Sequence, residues 1–428
     1  MSAPEKHMPY ARMCVLMFLQ FFIWGVWYVP MWTYLGELGI DEASRGAAYA
    51  ATGLAAIFSP FLVGMIADRF FPSQVVLGVL HLAGGVFLYL AAQAEDWDGF
   101  YPMLLIHLLC YMPTLAMANS VLFQSATNPE KEAPPIRTLG TIGWIASGIV
   151  VGSSFLDPSG GFHMKWPVFL GGDDPDASLG WKGLGTTNMP LLIGTGASFA
   201  LGLFSFCLPH TPPKLKGEKV TVGDVIGLKA LKLMKEPSFA IFIVASLLIC
   251  IPLSFYFQSG NGFLKAMNVS NSEGVMTLGQ VSEILFLLAV PFCFRKLGVK
   301  WMLTIGMAAW VIRYVAFANG TADTQWLLFF GVILHGICYD FFFFSGQLYV
   351  DKKAPEDIRS SAQGFIAFVT LGVGMYIGGR LNGYWNAKQT VDGVVNWPAV
   401  WYFPAAMAGV VMILFVLFFR EKKLFKEA

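Results

Sequence analysis

The sequence has little charge for its length. Of its 428 residues, 13% are charged and 56% are hydrophobic, whereas an ordinary soluble domain is about 25% charged and about 45–50% apolar. The 28 Lys and Arg residues are balanced by 27 Asp and Glu residues, so the net charge is +1. Binding nucleic acid through a basic surface needs an excess of positive charge. The composition therefore excludes a basic nucleic-acid binder and indicates that much of the surface faces lipid.

Motifs for catalysis and for metal binding are also lacking. The six cysteines lie in or beside apolar runs and show no CxxC spacing, which is typical of small buried hydrophobic residues. The sequence contains no HExxH, P-loop or GxSxG motif. It therefore predicts neither an enzyme nor a protein with a metal or an organic cofactor, and it shows no sign of an obligate protein partner.

Long hydrophobic runs are abundant. A helix that spans a bilayer needs roughly 20 mostly apolar residues. Such runs fall near residues 11–34, 46–67, 74–94, 99–123, 138–156, 188–209, 239–263, 274–294, 300–319, 325–350, 361–385 and 397–419. We therefore predict an all-α membrane protein with 12 transmembrane helices in two pseudo-symmetric six-helix bundles, residues 1–210 and 239–428, joined by a basic cytoplasmic linker over residues 211–238.

Positive residues are distributed unevenly between alternate loops. If both termini lie on one side, 21 of the 28 Lys and Arg residues fall on that side, 5 on the other side and 2 within spans. Lys and Arg in short loops are retained in the cytoplasm. The sequence therefore predicts a multi-pass protein with both termini in the cytoplasm. The loop over residues 157–188 then lies outside, and it shows no periodic element.

Two carboxylates lie inside predicted spans. Glu283 is near the middle of span eight, and Asp340 lies in span ten before a run of phenylalanines. A charge at a helix centre costs at least about 2.5 kcal/mol and persists where it faces a cavity or a partner. Loss of water favours the protonated form of a carboxyl group, so both are candidate proton carriers. The alternative is a structural ion pair with Arg313 or Arg380, whose own roles we predict to be structural.

A polar and aromatic face begins span five. The spacing i, i+4, i+7 lines Arg137, Thr141 and Trp144 along one side of the helix. An aromatic ring beside hydrogen-bond donors suits a nucleobase or the face of a sugar. Gln20 repeats the polar and aromatic pattern in span one. The alternative for Trp144 is ordinary packing against lipid or a neighbouring helix.

Segments spread over nearly the whole chain carry a specific resemblance. The loop after span two contains a GxxxDR sequence that ends in Asp68 and Arg69, which resembles the helix-latching loop motif of the major facilitator superfamily. The other segments are FLQFFIWGVW from Phe18, YMPTLAMANS from Tyr111, PPIRTLGTIGW from Pro134, QVSEILFLLAVPF from Gln280 and YDFFFFSG from Tyr339. Together they resemble the bacterial nucleoside:H+ symporter family of that superfamily.

The resemblance implies a proton-coupled nucleoside importer of the bacterial inner membrane that works by alternating access. Its ligands would be nucleosides and protons, and its surroundings the lipid bilayer. It implies proton coupling through Asp340 and Glu283. The substrate-binding positions that we predict are Gln20, Arg137, Thr141, Trp144, Ser254, Phe257, Gln280, Glu283, His335 and Tyr339.

Two departures from the family pattern touch the predicted ligand face. Ser254 and Phe257 stand where a family member has amide side chains, and His335 stands where it has a tyrosine. The first alternative is a transporter of the same fold that carries another polar solute, such as a sugar or a nucleobase, because fold alone does not fix function. A receptor that binds without moving its ligand is a second alternative.

Overall fold

The computed structural model describes residues 9–62, 70–165, 179–213 and 228–420, and helices make up most of this part of the chain. Helices suit an apolar environment because each one satisfies its backbone polar groups within a single segment. The helices of the first half are α1 (Tyr10–Tyr28), α2 (Met31–Glu37), α3 (Glu42–Leu62), α4 (Ser73–Ala92), α5 (Trp97–Ser125), α6 (Pro129–Gly152) and α7 (Met189–Ser205). Those of the second half are α8 (Pro237–Ala266), α9 (Ser272–Asn319), α10 (Gln325–Ile333), α11 (His335–Tyr339), α12 (Ser345–Lys353), α13 (Arg359–Ala367), α14 (Met375–Gln389) and α15 (Trp397–Phe418).

Each half has its own hydrophobic core. One cluster of buried side chains joins the helices of the first half, and a second cluster joins those of the second half. In the first half α1 packs on α6 and α7, and in the second half α9 packs on α11 and α15. Trp144 and Phe257 pack against both clusters. The chain therefore forms two packing units that meet at a seam beside these two rings.

Helix α9 contains one break in its backbone. Gly298 has a φ of 70°, which lies in the left-handed region that favours glycine. The break falls between predicted spans eight and nine, so α9 consists of two arms that turn back at Gly298. With 48 residues, α9 is long enough for two crossings of about 20 residues each.

The helical segment after α9 is interrupted inside its apolar run. Regular helix stops at Ile333 and resumes at His335, and a π-helical turn over Asp340–Phe344 separates α11 from α12. A second π-helical turn, Phe368–Gly374, joins α13 to α14. Such turns occur often at functional sites. The sequence pattern predicted one span at each of these places and gave no sign of the π-helical turns.

Short strands lie in the connections. Strands β1 (Ser154–Leu156), β2 (Phe162–Met164) and β3 (Lys182–Gly183) form a sheet in which β1 pairs antiparallel with the other two. The expectation that residues 157–188 lack a periodic element was therefore wrong for the described part of that loop. A hairpin of β4 (Thr390–Val391) and β5 (Val394–Val395) precedes α15.

The apolar helices are suited to a membrane. By length and composition, eight helices or joined helices of the described residues could cross a bilayer, and α7 is a shorter apolar helix. These helices make the chain a multi-pass membrane protein. The count of twelve crossings stays a prediction.

The two halves touch closely at one end of the bundle. We call the end that carries Tyr10 and Phe418 the terminal end and the opposite end the far end. At the far end Gly152 abuts the Asn271 side chain so closely that a methyl group would not fit there. Likewise, a Cβ atom at Gly46 would lie 2.5 Å from the Cα atom of a glycine in α14. Small residues thus close the far end.

Candidate substrate and proton site

An aromatic bridge joins the two halves at the seam. The Phe257 ring on α8 lies 6.1 Å from Tyr28 and 6.2 Å from Trp144 in the first half. On its other side it lies 5.5 Å from Tyr256 and 5.9 Å from His335 in the second half. Ring centroids at these separations lie within the range of favourable aromatic pairs. Phe257 therefore connects the two predicted ligand faces.

The predicted face on α6 lies at the first-half side of this bridge. Trp144 is half-buried and its ring lies 5.5 Å from that of Trp24. Thr141 is half-buried and Arg137 is exposed one turn closer to the terminal end. The Trp144 ring faces the ring of Phe257 in the second half, with centroids 6.2 Å apart. The face on α6 thus points across the seam.

His335 is the central residue on the side of the bridge that belongs to the second half. Its side chain is 1% exposed, its ring stacks on Tyr256 with centroids 5.0 Å apart, and its Nε2 atom lies 3.8 Å from Glu283 Oε2. The ring also lies 5.8 Å from that of Tyr339. Gln280 is buried on α9, one turn before Glu283. The structure therefore brings these four predicted residues of spans eight and ten together.

Asp340 lies next to this group, at the start of the π-helical turn. The residue is 2% exposed, and its Oδ2 atom has no hydrogen-bond partner within the described ranges. Glu283 lies on α9, which packs against this turn, and its side chain is 20% exposed. Two carboxylates on packed helices in a region with little water are more stable when one of them holds a proton. This pair is therefore suited to binding and releasing a proton.

A small cavity opens beside Tyr339, the residue that precedes Asp340. Its volume is about 80 Å³, and its lining includes Tyr339, Phe343, Gln347, Gln363 and Thr370. Gln347 is exposed, and Gln363 donates a hydrogen bond to the Gln347 carbonyl. The cavity therefore links Tyr339 with polar side chains nearer the terminal end.

Two predicted ligand residues are bonded within their own halves. The Gln20 amide donates to Thr114 Oγ1 at 2.7 Å and lies 3.1 Å from His81 Nε2. Ser254 donates to the Cys250 carbonyl at 3.0 Å and packs against Gly378. Their roles as substrate ligands stay predictions. Asp68 and Arg69, predicted to be structural, lie outside the described residues.

Arg313 forms no ion pair in the part of the chain that the structure describes. It is fully buried and donates from Nε to the Gly331 carbonyl at 2.8 Å and from Nη2 to the Val332 carbonyl at 3.4 Å. Its guanidinium also lies over the ring of Tyr256. The alternative in which Arg313 neutralises Asp340 or Glu283 thus has no support in this conformation.

A buried charge pair at the far end escaped the sequence analysis. Glu273 Oε1 lies 2.6 Å from Lys265 Nζ and accepts a hydrogen bond from Asn261 at 3.1 Å. The Ser272 hydroxyl bonds to Asn261 Oδ1 at 2.6 Å. Lys265 and Glu273 lie between predicted spans seven and eight, and the sequence analysis gave them no role. The signal that we missed is the polar run at the end of α8, which continues into the start of α9.

Comparison with known proteins places the chain in a family. A family model described as "Nucleoside H+ symporter" matches residues 8–168 and 177–424. The protein YegT of Escherichia coli (strain K12) is 43% identical over 420 residues, covering 96% of this chain and 94% of YegT. Nucleoside permease NupG of Escherichia coli (strain K12) is 32% identical over 425 residues, covering 95% of each chain.

Solved structures agree with these matches. A crystal structure of nucleoside transporter NupG aligns with a TM-score of 0.81 at 31% identity, covering 96% of this chain and 99% of that chain. A crystal structure of the POT family transporter PepTSo aligns with a TM-score of 0.69 at 14% identity, covering 98% of each chain, and shows the fold alone. The fold is that of the major facilitator superfamily, as the sequence resemblance implied. The family match and the identities together show that the chain belongs to the nucleoside H+ symporter family, whose members are transporters and not enzymes.

Proposed function

We propose that the protein imports nucleosides across the bacterial inner membrane together with protons, by alternating access between its two halves. The observation that carries the proposal is a pair of carboxylates, the buried Asp340 and the partly buried Glu283, beside an aromatic bridge that spans the seam. Membership of the nucleoside H+ symporter family supports both the substrate class and the coupling ion. The alternative of a sugar or nucleobase carrier is not favoured by these matches.

The topology in this proposal has twelve crossings. The joined helices α1 and α2 form the first crossing, the two arms of α9 form crossings eight and nine, and the interrupted segments α10–α12 and α13–α14 form one crossing each. The excess of Lys and Arg on the side of the termini supports a cytoplasmic terminal end. The far end then faces the outside and is closed in this conformation.

Substrate binding in the proposal takes place at the seam. The nucleobase stacks on the rings of Trp144 and Phe257, and the donors of Arg137 and Thr141 bind its polar edge. On the opposite side, Gln280, Glu283, His335 and Tyr339 supply partners for the ribose hydroxyls. Gln20 and Ser254 bond within their halves here, so their contact with the substrate requires another conformation.

Proton coupling in the proposal follows from the cost of moving charge through a region of low dielectric constant. A second negative charge at the Glu283 and Asp340 pair resists the closure of the halves around it. Protonation of Asp340 removes that charge when substrate is bound, so the loaded carrier reorients. Release of the proton on the cytoplasmic side then favours release of the nucleoside.

Uptake into proteoliposomes tests the proposal. We expect purified protein alone, under an inward proton gradient, to accumulate radiolabelled uridine or adenosine above the outside concentration. A protonophore should abolish the accumulation. Absence of gradient-dependent uptake for every nucleoside, in a preparation that is monodisperse and folded, would contradict the proposed function.

A further inference from the structure

The environment of Arg313 is unusual for a charged side chain. Its exposed fraction is 0%, and its guanidinium carbon lies 3.8 Å from the centre of the Tyr256 ring and 5.3 Å from that of Trp310. Its Nη1 atom has no hydrogen-bond partner in the described ranges. Burying a cation without a carboxylate is costly. The contacts that Arg313 makes must therefore offset this cost, and they show which part of the structure it stabilises.

Those contacts lie at the break at Leu334, where α10 ends and α11 begins. The last carbonyl groups of a helix have no partner inside that helix. Arg313 supplies donors to two of them, the carbonyls of Gly331 at 2.8 Å and Val332 at 3.4 Å. A break inside an apolar segment is tolerated where protein groups capture the freed backbone. Arg313 is such a group.

The first arm of α9 holds the other side of the same break. The backbone N–H of Gly336 donates to Ser282 Oγ at 2.9 Å. A Cβ atom at position 336 would lie 2.6 Å from the Ser282 carbonyl and 2.7 Å from the backbone nitrogen of Glu283. Both arms of α9 therefore hold the break. Because Gly336 has no side chain, α11 can approach the backbone of Ser282 and Glu283 closely.

The break leads directly into the substrate site. His335 is the first residue of α11, and its ring stacks on the face of Tyr256, whose ring also contacts the Arg313 guanidinium. The His335 Nε2 atom lies 3.8 Å from Glu283 Oε2. Arg313 thus contacts both the backbone that precedes His335 and the ring on which His335 packs.

We propose that Arg313 is a positioning residue for the substrate site, because it holds the break at Leu334 and the Tyr256 ring and thereby fixes His335 against Glu283. The inference rests on the proposed function in that it assigns nucleoside binding to His335 and Glu283. Lysine cannot replace Arg313 fully, since a single ammonium lacks the planar fork that reaches two carbonyls from different nitrogens.

The test compares the KM for uridine of the wild type, R313Q, R313K, H335N and the double variant R313Q/H335N in proteoliposomes. We expect R313Q and R313K each to raise KM by about tenfold, within the range for coupled neighbours. The double variant should be no worse than H335N, because Arg313 acts through His335. The inference would be overturned if the fold increase in KM of the double variant equalled the product of the two single increases, or if R313Q left KM unchanged.

T304V is the matched control. Thr304 lies on the same arm of α9 as Arg313, is buried and donates a hydrogen bond to the Lys300 carbonyl at 2.8 Å, so T304V removes a buried contact away from the break. Its KM should stay within about twofold of wild type. If R313Q fails to fold, S282A serves instead, because it frees the backbone N–H of Gly336 from the other side and should raise KM similarly.

Hydrogen exchange separates a failure of this inference from a failure of the proposed function. Exchange over residues 331–339 should be faster in R313Q and R313K than in wild type, and unchanged in T304V, whatever the protein transports. Equal exchange in all four proteins would overturn the positioning role. Absence of uridine transport in the wild type, with faster exchange in R313Q, would contradict the function and leave the positioning role supported.

Discussion

Replacing Lys265 by methionine should open the far end of the transporter. Lys265 pairs at 2.6 Å with Glu273, and the side chains of the two residues are 28% and 6% exposed. The Glu273 carboxylate lies against Gly185 of the first half, and Asn261 Nδ2 lies 3.5 Å from Thr33 Oγ1 there. Closure of the halves therefore buries this charge pair, and opening would return water to it.

The magnitude follows from the partners that remain. Removing one member of a buried ion pair costs about 3–5 kcal/mol. Because Lys265 is partly exposed and Glu273 retains its bonds to Asn261 and Ser272, we expect a smaller cost of about 2 kcal/mol. The cost falls on the closed conformation, so the population ratio should shift about 30-fold toward the form that is open at the far end.

Thiol labelling measures this shift. We would place a single cysteine at Thr33, in a background without the six native cysteines, and follow the rate of maleimide labelling in detergent. K265M should raise the rate by an order of magnitude or more. The double variant K265M/E273Q should label near the parent rate, because a neutral amide needs no counter-charge. Equal labelling of K265M and its parent would refute the reasoning.

Three further predictions concern coupling, binding and the outer sheet. D340N should abolish gradient-driven nucleoside accumulation but retain counterflow exchange, and wild-type accumulation would reject its coupling role. F257A should raise the KM for uridine by about threefold to tenfold through loss of aromatic pairing, and an unchanged KM would exclude the bridge from binding. Hydrogen bonds from the Ser159 side chain and then from His163 hold the pKa of Asp157 below its usual value. The ionised Asp157 should therefore stabilise the β1–β2 hairpin above about pH 4, and this stabilisation should be lost as pH falls through the lowered pKa. Faster hydrogen exchange of the hairpin at low pH would show the loss. In D157N the hairpin should exchange fast at every pH.

The helices could be predicted from the sequence, because length and hydropathy determine which segments suit a bilayer. Runs near 274–294 and 300–319 correspond to the two arms of α9, and Gly298 at their junction supplied the turn signal. The break at Leu334 could not be predicted, since no proline marks it and the groups that stabilise it, Arg313 and Ser282, come from other helices. Tertiary hydrogen bonds of this kind leave no local pattern.

The candidate site could be predicted in part. Charges within spans identified Glu283 and Asp340 as candidates, and the structure places Glu283 beside His335 and Asp340 at the start of a π-helical turn. Gln20 was predicted from the polar and aromatic pattern of its helix and Ser254 from the family resemblance. Neither basis says whether a side chain meets the seam or a neighbouring helix. In this conformation both bond to neighbours in their own half.

The most direct test of the central claim follows protons and nucleoside in one experiment. Proteoliposomes that contain a pH-sensitive dye and no imposed gradient would receive uridine outside. Coupled import predicts that the lumen acidifies as uridine enters, and that D340N shows no acidification. Uridine entry without acidification of the lumen would contradict the account, and so would acidification that is independent of uridine.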